Sequence, residues 1–326
     1  MAFSRHMTKP GAVLLACAAI VFCAAIAQAE DTVPKRSVAI TFDDLPHADA
    51  GTRRAPSPDA IRDQNRRVIE VLRKHAAPAI GFVVERNVEA TGPLARDVLK
   101  DWTGPDLTLG NHLFSHADTN KLGMAGIERE IVDGGRSIGP LLDASGETGR
   151  FLRFPFNHLG DTSEKQAAIA GLADRLGYTI AAATIDTSDY VFDRAYGKAL
   201  SADDGAMAAR IRSAYLDHTK GQIAYYAGLD RQALGREPPA IMLLHLNRLN
   251  ADTLDDILTV FEHAGYGFVS LAEAQSDPAY RKLPSFATPF GPMWGYRWAR
   301  DNEVKIDASL EKEPPAWVVN YGKGGG

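Results

Sequence analysis

Two neighbouring carboxylates and two histidines stand in patterns that could hold a metal ion. Asp43 and Asp44 are adjacent. Adjacent carboxylates repel each other in a poorly solvated site, and a cation or a nearby arginine relieves that repulsion. A solvated turn is the alternative for this pair. His112 and His116 lie four residues apart, a spacing that puts both rings on one side of a helical turn and within reach of one ion.

Together, Asp44, His112 and His116 would offer two neutral imidazoles and one carboxylate. Such a set leaves open positions on Zn²⁺ for water and substrate. Packed or surface histidines are the alternative. The two cysteines of the chain, Cys17 and Cys23, both fall within its first 29 residues. Any metal in the body of the chain must therefore be held by histidine and carboxylate.

Two further residues could take part in the chemistry. Arg153 lies in an apolar segment and needs a carboxylate partner if it is buried, for which Asp43 and Asp189 are the candidates. His245 ends an apolar segment and could act there as a general acid or base. For each residue taken singly, a structural role is the alternative.

The elements that must position these residues alternate between short apolar strands and helices. The pattern predicts seven strands, at 37–42, 79–84, 107–111, 151–153, 178–185, 240–244 and 267–271. It predicts helices between them, at 61–75, 94–101, 127–142, 164–176, 203–219 and 253–264. This alternation implies an α/β fold of parallel strands, in a barrel or an open doubly wound sheet. The candidate residues follow predicted strands, where parallel α/β folds place their active sites.

The amino-terminal segment, residues 1–29, is predicted to be a cleaved signal peptide. It has a positive start, an apolar run over 12–27 and a small-residue cleavage site at 27–29. The run is shorter than the roughly 20 residues that span a bilayer, which disfavours a membrane anchor. A lipid anchor at Cys17 is disfavoured because the apolar run continues past it. We therefore expect a periplasmic or secreted protein with no integral membrane segment after signal removal.

Charge and composition narrow the class of protein further. The 326 residues are 45% hydrophobic and 24% charged, as in soluble globular proteins. The net charge is −5, without the basic excess that nucleic-acid binders show, so no nucleic-acid partner is expected. Residues 276–326 differ from the rest in their proline, glycine and aromatic content. We expect this carboxyl-terminal extension to pack on the barrel and its last residues to be loose; the alternative is a sugar-stacking platform of Trp294, Tyr296 and Trp298.

In their order along the chain, these segments resemble the polysaccharide deacetylases of the NodB-homology type, carbohydrate esterase family four. The family has five ordered motifs, and residues 36–272 offer a counterpart to each. The resemblance implies a distorted (β/α) barrel of about seven parallel strands, with the catalytic domain over residues 30–275. It implies a metal-dependent hydrolase that removes N-acetyl groups from an amino-sugar polymer or oligomer, such as peptidoglycan or chitin, and releases acetate.

The resemblance also implies a role for each motif residue. It implies three ligands for the metal, Asp44, His112 and His116. The metal would be Zn²⁺, with Co²⁺ or another divalent ion as the alternative. Asp43 would be the general base, Arg153 would position it, and Asp189 would in turn orient Arg153.

The remaining motif residues would bind the reacting group and complete the proton transfer. The backbone N–H of Phe156 would help to bind the oxyanion, and protonated His245 would be the general acid. Tyr190 would wall the groove, and Leu243 would line the pocket for the acetyl methyl group. The resemblance implies that the substrate is an acetylated carbohydrate; no oligomeric state is predicted.

The chain departs from the family pattern at Leu45, Leu113, Asn157, Tyr190 and Leu246, where the family commonly has glycine, Ser or Thr, glycine, tryptophan and often aspartate. None of these is a metal ligand or a proton-transfer group, so we expect the chemistry to survive. The resemblance does not determine the loop shapes and groove walls at these positions. It therefore does not determine whether the usual substrates of the family apply. The alternatives are an O-acetyl esterase or small-amide hydrolase on the same barrel, and a catalytically silent carbohydrate-binding protein of the envelope.

Overall fold

The computed structural model describes residues 1–4, 36–48, 56–147 and 149–324. Most of the predicted signal peptide lies outside the described residues, and the fold below is that of the compact unit Pro34–Gly326. Its strands are, in chain order, β1 (Arg36–Leu45), β2 (Ala79–Val83), β3 (Leu107–Asn111), β4 (Phe151–Leu152), β5 (Thr179–Ile180), β6 (Ile185–Asp186), β7 (Ala240–His245) and β8 (Tyr266–Phe268).

The strands form one parallel sheet that curls into an incomplete barrel. The order is β5-β4-β3-β2-β1-β7-β6, and β8 pairs with the start of β1. The predicted parallel α/β fold is confirmed, with one difference: the predicted strand 178–185 is two short strands, β5 and β6, at opposite ends of this order. Between them, Ala182 and Ala183 bond outside the sheet. The Ala182 N–H donates to the Gln275 side chain over 2.8 Å, and the Ala183 carbonyl accepts from the Trp294 N–H over 2.9 Å.

Helices cover the sheet. They are, in chain order, α1 (Pro58–Lys74), α2 (Glu85–Thr91), α3 (Pro93–Asp101), α4 (Met124–Gly134), α5 (Ile138–Ser145), α6 (Ser163–Arg175), α7 (Asp189–Ser201), α8 (Gly205–Leu234), α9 (Arg248–His263), α10 (Leu271–Gln275), α11 (Trp294–Asp301) and α12 (Ala316–Lys323). In α1 the Ser57 hydroxyl accepts a bond from the Ala60 N–H, as expected of an N-cap. Within the described ranges, no helix has both the length and the apolar composition that a membrane crossing requires.

The pairing of β1 with β7 sets the position of the site. Asp43 is the register partner of His245, and Thr41 is the partner of Leu243. In parallel strands the carboxyl ends lie at the same edge, so residues that follow both strands face a common space.

The carboxyl-terminal extension packs its tryptophans inward. Trp294 and Trp298 are 3% and 5% exposed, and their rings pack against that of Tyr280. These two rings belong to the core and do not form an exposed platform. The domain boundaries predicted at residues 29 and 275 stay predictions.

Candidate active site

The predicted site residues surround one cavity of about 560 Å³ at the carboxyl edge of the sheet. Eight of them line it: Asp43, Asp44, His112, His116, Phe156, Tyr190, Leu243 and His245. The other two, Arg153 and Asp189, lie behind this lining and are 1% and 0% exposed. Residues from five separate stretches of sequence are thus brought to one place.

The loops around the cavity hold an unusual backbone conformation. In the described part of the chain, several non-glycine residues next to the cavity have a positive φ angle: Asp44, Leu113, His116, Phe156, Asn157 and Ser188. Such residues store strain and concentrate at functional sites. Asn157, at φ 53°, takes a position where the resembling family commonly has glycine. Asparagine enters the left-handed region more readily than most other side chains.

The three predicted metal ligands converge. Asp44 Oδ1 lies 3.7 Å from His112 Nε2 and 3.5 Å from His116 Nε2. One donor atom from each residue lies within 4.8 Å of the others. His112 Nδ1 is 2.8 Å from the Arg153 carbonyl, which places the proton on Nδ1 and leaves the Nε2 lone pair facing Asp44. Burial lowers the pKa of His112, which keeps its ring neutral as a ligand must be. These donors fit a divalent ion.

Asp43 is bound by Arg153. Arg153 Nη1 donates to Asp43 Oδ1 over 2.9 Å and to the Thr41 hydroxyl over 2.6 Å, while Nη2 donates to the Ala182 carbonyl over 2.7 Å. Burial alone would raise the pKa of Asp43, but the charge and hydrogen bond of Arg153 and the positive charge of His245 lower it, so the pKa lies below its usual value. Asp43 is therefore an ionised carboxylate held in one orientation.

The predicted pairing of Asp189 with Arg153 is wrong. Asp189 Oδ1 accepts from His245 Nδ1 over 2.7 Å. Asp189 Oδ2 accepts from the His245 N–H over 2.8 Å, from Asn247 Nδ2 over 3.0 Å and from Asn250 Nδ2. The reason is the strand order: Asp189 follows β6, which pairs with β7, whereas Arg153 follows β4 on the other side of β1.

The contacts with Asp189 favour the protonated form of His245. Burial would lower its pKa, but the ion pair and hydrogen bond with Asp189, together with the charges of Asp44 and Asp43, raise the pKa to about 10. The ring is therefore an imidazolium near neutral pH. Its bond to Asp189 uses Nδ1, which leaves Nε2–H as the group available to the cavity.

Two exposed rings wall the cavity. Phe156 is 56% exposed, and its ring centroid lies 4.8 Å from that of His116. Tyr190 is 48% exposed, and its centroid lies 6.0 Å from that of His245. One ring thus stands beside a metal ligand and the other beside the imidazolium.

The sequence interpretation missed several residues of this site. Asp186 lines the cavity, and burial raises its pKa to about 6. Asn247 lines it too and supports Asp189. Both stand within three residues of a motif residue, which is a signal that could have found them. Gly291 and Met293 also line the cavity, but they come from the carboxyl-terminal extension, where no motif points to them.

Comparisons with known proteins agree with the amino-terminal part of this site. A family model described as polysaccharide deacetylase matches residues 30–174. A chitin deacetylase from Arthroderma benhamiae is 29% identical over 154 residues, which are 47% of this chain and 35% of that protein. The chain thus spans about a third of the length of this curated relative. The predicted resemblance is confirmed: residues 30–174 match the polysaccharide deacetylase family model.

Solved structures are similar at lower identity. A pseudoenzyme of the CE4 family from Bacillus anthracis is 18% identical with a TM-score of 0.49, over 74% of this chain and 66% of that chain. A family 4 carbohydrate esterase from Streptomyces lividans, in complex with acetate, is 16% identical with a TM-score of 0.46, over 74% of this chain and 97% of that chain. The family match ends before Asp189 and His245. His245 joins the site through the register of β1 and β7, and Asp189 follows β6, which pairs with β7.

Proposed function

We propose that the protein is a metal-dependent hydrolase that removes N-acetyl groups from an amino-sugar polymer or oligomer of the peptidoglycan or chitin type. One observation carries the proposal: an ionised carboxylate, a three-residue metal-ligand cluster and an imidazolium line the same cavity. Hydrolysis of an amide needs a base for the water, charge stabilisation for the oxyanion and an acid for the leaving amine.

Asp44, His112 and His116 would hold the metal. A divalent ion there would supply Lewis-acid activation of water and of the carbonyl group. A set of two imidazoles and one carboxylate suits Zn²⁺, and Co²⁺ is the alternative. Support for the set comes from the His112 ring, whose other nitrogen is bound by a backbone carbonyl, as is usual for ligating histidines.

Asp43 would accept the proton of the attacking water. Its carboxylate is ionised because Arg153 and protonated His245 lower its pKa against the effect of burial. Arg153 holds Oδ1, while Oδ2 lies 3.6 Å from His112 Nε2, on the side of the ligand cluster. The base therefore stands beside the place where the water would be held.

His245 would donate a proton to the leaving amine. Its pKa of about 10 keeps it charged at neutral pH, and Asp189 fixes its ring. The Phe156 N–H would donate to the oxyanion. Water adds to the carbonyl carbon, the C–N bond breaks, and the products are acetate and a free amino sugar.

A substrate panel tests the activity and separates it from its rivals. Acetate release and product masses should be measured with chitin oligomers, peptidoglycan and acetylated xylan. We expect release from the N-acetylated substrates, and its loss after chelation and in Asp43→Asn, with the metal content of that variant unchanged. Release from xylan alone would favour an O-acetyl esterase, and sugar binding without turnover by the metal-loaded protein would favour a silent binder. Full activity of Asp43→Asn would overturn the role of Asp43.

We also propose that the protein is exported, to the periplasm or outside the cell. The support is the sequence of residues 1–29, with its positive start, apolar run and small-residue site. Mass spectrometry of the mature protein should show a chain that begins at Glu30. A chain that begins at Met1 and stays in the cytosolic fraction would contradict this.

A further inference from the structure

The carboxyl-terminal extension reaches the loop that carries Phe156. We infer that residues 286–297 complete the active site and that Arg297 is a positioning residue for that loop. The inference rests on the proposed function, in which the Phe156 N–H binds the oxyanion. These residues lie outside the segment that matches the polysaccharide deacetylase family.

Arg297 is buried and bonds main-chain carbonyls. It is 0% exposed, although arginine is rarely buried without a partner. Nη2 donates to the Asn157 carbonyl over 2.9 Å, Nη1 to the Phe286 carbonyl over 3.0 Å and Nε to the Pro292 carbonyl over 3.2 Å. Burial lowers its pKa to about 10, so the guanidinium is still charged at neutral pH. The planar, charged guanidinium group thus connects the loop to the extension through hydrogen bonds.

The loop needs such a tie because of its backbone. Phe156 has φ 60° and ψ 12°, and Asn157 has φ 53°. Two successive left-handed residues without glycine are strained, and they persist only where the surroundings hold them. Asn157 is held twice by the extension: its carbonyl accepts from Arg297, and its side-chain amide lies 3.8 Å from the sulfur of Met293.

Gly291 supplies a second, independent contact with the same loop. A Cβ atom at residue 291 would lie 1.7 Å from the Phe156 carbonyl oxygen and 2.8 Å from its carbonyl carbon. The loop therefore occupies the space that any other side chain would fill. Gly291 abuts the Phe156 carbonyl and Arg297 binds the Asn157 carbonyl, so both peptide planes that follow the Phe156 N–H are fixed. Their position restricts the orientation of the peptide group that carries that N–H.

Matched pairs of variants test the inference. Arg297→Lys keeps the charge without the fork, and Arg297→Met keeps the length alone; Arg300→Met is the control on the exposed side of the same helix. Gly291→Ala presses a methyl group on the loop, whereas Gly205→Ala adds one in open space. We expect kcat to fall on the order of 10- to 100-fold in the Arg297 variants and in Gly291→Ala. KM, metal content and both controls should stay near the wild type.

Hydrogen exchange provides a measurement that does not depend on turnover. Amides of residues 154–159 should exchange faster in Arg297→Met than in Arg300→Met. If the wild type releases acetate and the Arg297 and Gly291 variants match their controls in kcat and exchange, the inference is overturned. Losses that follow metal content or thermal stability alone would also overturn it. If the wild type acts on no acetylated substrate, the proposed function fails. Equal hydrogen exchange in Arg297→Met and Arg300→Met would then refute the support of the loop by Arg297. If Arg297→Met does not fold, Arg297→Lys and Gly291→Ala decide.

Discussion

Asp189 is expected to control the charge of His245, and the substitution Asp189→Asn tests this. The carboxylate is 0% exposed. Its Oδ1 accepts only from His245 Nδ1 among the bonds of the described residues, whereas Oδ2 accepts from three N–H groups, those of His245, Asn247 and Asn250. The oxygen of an asparagine side chain would therefore take the Oδ2 position, and its NH₂ group would face the His245 ring.

An NH₂ group at that position requires an acceptor. His245 Nδ1 can accept only when the ring is neutral, so the substitution disfavours the imidazolium both by removing a charge and by reversing a hydrogen bond. The raised pKa of His245 keeps the acid protonated below about 10, and the proton is lost as the pH rises through that value. Removal of Asp189 brings the pKa down toward the ordinary value or below it, so the alkaline limb of activity moves to lower pH.

The size of the effect follows from the two pKa values. At the ordinary histidine pKa of about 6.5, roughly 3% of the ring is protonated at pH 8, against nearly all of it in the wild type. We expect kcat to fall about 30-fold or more at pH 8 and much less at pH 6. Acetate release should be measured from pH 5.5 to 9 at equal metal loading, since a bound cation lowers the pKa in both proteins.

Asp193→Asn is the matched control. Asp193 is also a buried carboxylate of α7, but its Oδ1 accepts from the Leu249 N–H and not from a histidine. It should shift the pH profile much less than Asp189→Asn does, because Asp193 interacts with His245 through charge alone. The reasoning would be refuted if a folded Asp189→Asn variant lost the same fraction of wild-type activity at pH 6 and at pH 8. A shift that appears equally in Asp193→Asn would refute its assignment to His245.

Three further outcomes can be measured on the same protein. Asp230→Asn should raise the free energy of unfolding more at pH 8 than at pH 5. Burial raises the pKa of Asp230 well above its ordinary value, so the wild type loses stability as the pH rises toward the folded-state pKa. An equal effect at both pH values in urea denaturation would contradict this. Gly295→Ala should destabilise by about 1–3 kcal/mol, since its Cβ would lie 2.3 Å from Asp230 Oδ1 and 2.9 Å from Leu229 Cγ; urea denaturation measures it against Gly205→Ala. His116→Ala should weaken Zn²⁺ binding by more than the roughly 10- to 100-fold that follows loss of a supporting partner; calorimetry that shows wild-type affinity would remove His116 from the ligand set.

The sequence predicted the fold well where the hydrophobic period is unbroken. The strand over 107–111 was placed at its observed bounds, and the helix predicted at 61–75 is α1, which buries Ile61, Val68, Ile69 and Leu72. The predicted helix 127–142 is instead α4 and α5, broken after Gly134. A Cβ at Gly134 would lie 2.6 Å from the Leu113 carbonyl carbon, so glycine stands where the helix meets the histidine loop. The hydrophobic period along the sequence does not reveal such a contact between distant segments.

The candidate ligands could be predicted because residues at the ends of parallel strands must share one edge. Which acid would meet which base could not, because that depends on strand order. β7 lies between β1 and β6, so the acid after β6 meets His245, while Arg153 approaches Asp43 from the opposite side. The sequence spacing of Asp189 and Arg153 is the same in either arrangement. Only the topology separates the two.

The extension was the hardest part to predict for a different reason. It acts on the site through the backbone: Gly291 contributes by lacking a side chain, and Arg297 binds carbonyl groups that every residue has. A search for chemistry-bearing side chains cannot recognise either contribution. The strained pair at Phe156 and Asn157 is the feature that reveals it, because left-handed residues without glycine need support from outside their own segment. A catalytic barrel cut at residue 275 would keep the predicted ligands, the base and the acid, but would lose the support that holds the oxyanion loop.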